Sequence, residues 1–138
     1  MRQGEGSALA TLEEGLALSI QVDAIVRLGY ARAARAELAW LRGDYERAIE
    51  EARAVYDIAV SKEHPWIAGE IAFWRWRAGD EFTPPSWIAK PFALQIAGDW
   101  RGAAEDWERR GCPYEQAMAL MDGDETAQFA ALEIFERL

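Results

Sequence analysis

The sequence predicts an all-α chain of antiparallel helices that follow one another through tight turns. Three observations predict it. The strong helix formers Ala, Leu, Glu and Arg are abundant. Convincing β-branched runs are absent. The dipeptide Gly-Asp recurs at Gly43-Asp44, Gly79-Asp80, Gly98-Asp99 and Gly123-Asp124. Glycine can end a helix in the left-handed conformation. Aspartate can accept from the free N–H groups that open the next one. Gly-Asp therefore encodes a stop and a start in two residues.

In chain order, Ser7, or Thr11 with Glu14 as a capping box, opens a helix over about residues 7–19. A second is expected over 25–42, ended by Gly43. The clearest helix covers 45–61, where Tyr45, Ala48, Ile49, Ala52, Tyr56 and Ala59 follow three-and-four spacing. Glu46, Glu50, Glu51 and Asp57 lie mostly off that stripe. His64-Pro65 opens a helix over 65–78, because proline suits a first helical turn. Within it, Phe73–Arg77 alternates like a strand, but Ile67, Ile71, Trp74 and Ala78 run a helical stripe through it. A fifth helix is expected over 85–97. Pro91 removes a donor and crowds the preceding turn, so this helix is kinked or begins only near Lys90. Further helices follow over 100–110, 113–121 and 125–138, with Gly111-Cys112-Pro113 stopping one and restarting the next. The total is eight.

At 138 residues the chain has the length of one domain, and its formal charge of −9 argues against direct nucleic-acid binding, which needs a basic face. The single cysteine, Cys112, cannot form an internal disulfide. No apolar run is long enough to span a membrane, and the start lacks the apolar core of a signal peptide. A cytoplasmic location is the expectation.

No catalytic constellation is evident. His64 is the only histidine and reads as a cap or surface residue. Cys112 has no base in its local sequence and reads as a small residue between helices. No Cys/His cluster has zinc spacing, and Asp122–Glu125 lacks the twelve-residue pattern of a calcium loop. The Arg42-Gly43-Asp44 tripeptide already has structural work at a turn. Neither an enzyme, a metal nor a cofactor is expected.

The stretch from Ala36 to Ala52, with Gly43-Asp44-Tyr45 at its turn and Ala48 beyond, resembles the centre of a tetratricopeptide repeat. Phe92–Gly111 is a second, weaker match. The Gly-Asp spacings of 36, 19 and 25 residues make the repeat degenerate against a period of roughly 34. Residues 90–138 resemble the C-terminal helical-repeat region of large bacterial LuxR-type transcriptional regulators with an ATPase module. The likeness rests on Gly98-Asp99-Trp100, Gly111-Cys112-Pro113-Tyr114-Glu115 and Gly123-Asp124-Glu125. There is no P-loop and no basic recognition helix. The resemblance implies a single helical-repeat domain, a fragment or stand-alone relative of such a regulator, in a right-handed superhelical stack.

Seven tryptophans remain. Trp74, Trp100 and Trp107 read as packing. In a tetratricopeptide repeat the first helix of each hairpin lines the concave face. The resemblance therefore implies a partner surface of Tyr30, Glu37, Trp40, Trp66, Phe73, Trp76 and Arg77, aromatics with an arginine being typical anchors. Two functions follow. One is a scaffold for a protein, a peptide or another domain of the same regulator, compatible with self-association. The other is a sensor that encloses a small effector in an aromatic pocket.

Overall fold

The computed structural model describes residues 2–138. Its described residues are helical without a strand, in seven helices. These are α1 (Arg2–Leu41), α2 (Tyr45–Ser61), α3 (Pro65–Arg77), α4 (Lys90–Ile96), α5 (Trp100–Arg109), α6 (Pro113–Leu120) and α7 (Glu125–Arg137). Each helix packs on the next, and α1 also packs on α3.

One molecular device recurs in the turns. The N–H of Gly43 donates to Trp40 C=O and that of Asp44 to Ala39 C=O, both at 2.9 Å, with Gly43 at φ +78°. This is a Schellman stop. The Asp44 carboxylate then accepts from the Arg47 N–H at 3.2 Å and opens α2. Asp44 is thus the last residue of one motif and the first of the next. Gly98-Asp99 repeats this, with Gly98 at φ +87° and Asp99 accepting from the Gly102 N–H at 2.9 Å. Glu63-His64 is a variant, in which His64 takes the cap role read from the sequence and Glu63 supplies a stop that the sequence did not signal. Glu63 takes the left-handed conformation at φ 49°, and His64 Nδ1 accepts from the Ile67 N–H at 3.2 Å.

Two Gly-Asp pairs depart from the rule. Gly79 stops α3 at φ +93°, but Asp80 opens no helix. Its carboxylate accepts instead from Arg53 at 3.0 and 2.6 Å and from Arg75 at 2.7 Å. The chain then runs irregularly through Pro84-Pro85 until Lys90, so the fifth helix expected from 85 is the seven-residue α4, with Pro91 in its first turn. At Gly123-Asp124 the aspartate caps α7 through the Ala127 N–H at 2.9 Å, but Gly123 is absent from the left-handed set. Its role is room: a Cβ there would lie 2.8 Å from the Trp100 ring.

The first two expected helices are one. No glycine or proline interrupts Ser19–Ala24, and α1 runs through it. Because α1 already runs at Ser7 and Thr11, neither residue opens it; the side chain of Ser7 lies outside the described ones. The part of α1 that packs begins near Val26, and Gly29 brings it close to Ile67 on α3.

Glu51 also departs from expectation. It is buried, facing α1, where Arg32, Arg35 and Arg47 approach it at 2.7, 3.1 and 3.0 Å. Burial pushes its carboxyl up, but the hydrogen bond from Arg32 and the surrounding charges outweigh this and hold it below the usual value.

Candidate functional site

Helix α3 is apolar on two sides because it has two tasks. Ile67, Ile71 and Ala72 are buried in the core. Trp66, Glu70, Phe73 and Trp74 fall at i, i+4, i+7 and i+8, a single helical face, and all four line a cavity of about 520 Å³. Phe92 and Gln95 of α4, Trp107 of α5, and Tyr114, Glu115 and Met118 of α6 continue the wall, while Tyr30 and Glu37 of α1 stand opposite.

Edge-to-face and tilted ring packing holds the aromatic wall in place. Phe92 meets Trp107 with ring centroids 5.1 Å apart and Trp66 at 6.2 Å; Phe73 lies 5.8 Å from Phe92. The Arg110 guanidinium covers Trp66 at 4.7 Å from the ring centroid, and its Nε donates to Asp106 at 3.1 Å. Arg110 is therefore a pinned, already paired cation at the pocket wall.

Three carboxylates come to this pocket. Glu37 accepts the Tyr114 hydroxyl, a bond that links α1 to α6. Burial, that hydrogen bond and the charges of Glu37 and Glu115 push the Tyr114 hydroxyl up to about 12, so it remains a donor. Glu70 has no hydrogen-bond or ion-pair partner among the described residues. Burial first, and then the charges of Glu37 and Glu115, push its carboxyl up to about 7. Gln95 supplies a buried donor. Its Oε1 accepts from the Trp107 indole N–H at 3.1 Å. Indole can only donate, which fixes the amide orientation and leaves Nε2 without a partner.

Of the seven expected site residues, Tyr30, Glu37, Trp66 and Phe73 line the pocket. Trp40, Trp76 and Arg77 lie outside that lining. The Arg77 guanidinium sits 5.5, 5.1 and 5.3 Å from the ring centroids of Trp40, Phe73 and Trp76, and pairs with Asp122 at 2.6 Å. They form a packed cluster beside the pocket: Trp76 lies off the Trp66–Phe73 face of α3, and Arg77, on that face but one turn further along at the helix end, is taken up by Asp122 and the three rings. Sequence reasoning missed Glu70, Phe92, Gln95, Arg110, Tyr114 and Glu115 as site residues. For Glu70 a signal existed: it sits four residues after Trp66 and three before Phe73, a carboxylate within an aromatic stripe.

Among the described residues no group of three His, Cys, Asp or Glu side chains is placed to hold a metal ion, and no helix is long and apolar enough to cross a membrane. No family model, no curated protein and no solved structure matches the chain.

Proposed function

We propose that the chain is a non-catalytic binding module of tetratricopeptide-like type, the interaction part of a bacterial transcriptional regulator. It engages a protein or peptide, or another domain of the same regulator, through the pocket between α1, α3, α4, α5 and α6. The pocket carries this reading: a firmly packed aromatic wall beside a carboxylate and an amide that the chain itself leaves unpartnered. The resemblance of residues 90–138 to the LuxR-type repeat region supplies the regulatory context. A small-effector sensor is the second reading, favoured by the volume of about 520 Å³, which suits a compact ligand.

A photo-crosslinking amino acid placed at Tyr114, on the rim, and separately at Glu46, on the exposed side of α2, separates the possibilities. Crosslinking to a polypeptide from position 114 alone supports the scaffold. A small molecule retained in native mass spectra and lost on Trp66→Ala supports the sensor. Crosslinks from position 46 alone would move the interaction to the acidic face carrying Glu46 and Glu50 and overturn the pocket assignment.

A further inference from the structure

The charge and shape of the pocket restrict what can fill it, granted that it is the binding site. We propose that its occupant is an organic cation: an ammonium group on an apolar stem, the charge set among Glu37, Glu70 and Glu115 and the stem laid against Trp66, Phe73 and Phe92.

Four observations converge on this. Among the described residues, the ionisable side chains at the wall are Glu37, Glu70, Glu115, Arg110, Cys112, Tyr30 and Tyr114, and the only cation among them, Arg110, is held by Asp106. An anionic ligand would meet three carboxylates and one cation already paired. A neutral apolar ligand would cover Glu70 and leave its carboxyl without water or partner, which is costly. A bare metal ion is a poor fit, because among the described residues no three such side chains stand close enough to coordinate one. An ammonium satisfies both kinds of wall at once, since aromatic faces attract cations as carboxylates do. The unpartnered Nε2 of Gln95 adds a preference for an acceptor on the stem, such as an amide carbonyl.

Glu70 gives the proposal a second readout. With its carboxyl near 7, it must ionise to pair with the cation. Cation binding then expels a proton, and affinity falls as pH drops through 7. If binding requires the ionised form, the loss from pH 8 to pH 6 is about tenfold. Glu37 from α1, which accepts the Tyr114 hydroxyl, and Glu115 from α6 set the field that Glu70 feels.

Two sources share this chemistry: a lysine side chain of a protein partner and a free amine. The experiment is calorimetric titration of the full chain with N-acetyl-lysine methylamide against its neutral counterpart N-acetyl-norleucine methylamide, and with 4-phenylbutylammonium against 4-phenylbutanol. Each pair is run at pH 8 and pH 6. At least tenfold tighter binding of a cation than of its neutral counterpart at pH 8, weakened about tenfold at pH 6, is the expected result. Glu70→Gln, with Glu115→Gln as a second variant should the first fold poorly, is expected to reduce that preference. Tighter binding of the lysine derivative assigns the pocket to a protein partner, and tighter binding of the free amine to a small effector. Equal binding of charged and neutral probes would overturn the cation proposal while leaving the pocket as a binding site. No binding of any probe would overturn both.

Discussion

Single residues here are decided by what surrounds them more than by their type. Asp44, Asp80 and Asp99 each follow a glycine, yet Asp44 and Asp99 cap helices while Asp80 binds two arginines. Asp44→Ala should cost about 1 kcal/mol in urea unfolding, the usual loss for a cap. Asp80→Ala should lower the urea midpoint further than Asp44→Ala. It removes a cap from no helix but strands Arg75, which is mostly buried between the rings of Tyr56 and Phe82. Equal losses for the two variants would contradict that difference. Glu70 makes stability depend on pH. Its carboxyl is raised from 4.5 to about 7, so the native state holds this proton more tightly than the unfolded chain does. The stabilisation is complete below 4.5 and disappears as pH rises to 7, an upper value of about 3 kcal/mol. Unfolding free energies of Glu70→Gln across this window should lack that decline.

At the scale of elements, close approach and sandwiching explain what periodicity leaves open. Gly29 weakens α1 as a helix residue, yet a Cβ there would lie 2.5 Å from Cγ2 of the fully buried Ile67. Gly29→Ala should therefore destabilise the chain by about 1–2 kcal/mol, since overpacking exceeds the gain in helix propensity. A rise in thermal midpoint would mean that α1 and α3 can separate without loss. Helix α3 carries apolar residues on two faces because α1, α2 and α4 all pack on it while Trp66, Glu70 and Phe73 face the pocket. Helix α4 is short because Pro84, Pro85 and Pro91 confine helical backbone to the residues after Ala89.

For the molecule as a whole, core and site share a wall. Phe73 is 5% exposed, contacts Trp74, Trp76 and Phe92, and also lines the pocket. Phe73→Ala is expected to destabilise by about 3–5 kcal/mol, as for other buried aromatics. Trp76→Ala, in the half-buried cluster beside the pocket, should cost less and leave binding of the cationic probes unchanged. Circular dichroism melts and calorimetry on the two single variants test this. Loss of probe binding in a folded Trp76→Ala chain would return Trp76 to the site. Tyr114 and Glu37, 77 positions apart, show how the wall is assembled: α6 meets α1 only after four intervening helices have curved the chain back.

The all-α class, the glycine stops at Gly43, Gly79 and Gly98 and the helix over 45–61 could be read from the sequence, because capping and three-and-four spacing are local physics. Trp66 and Phe73, which stand out in the sequence as surplus aromatics, line the pocket together with Tyr30 and Glu37. The role of Asp80 could not be read from the sequence, for its partner Arg53 lies 27 residues away on another helix. The burial of Glu51 depended on three arginines, two of them on α1. The elevated Glu70 carboxyl and the orphaned Gln95 amide arise only when α1, α4, α5 and α6 close around α3. Local sequence determines where helices start and stop. Desolvation and long-range charge pairing, which decide this pocket's chemistry, exist only once distant segments have excluded water from one another.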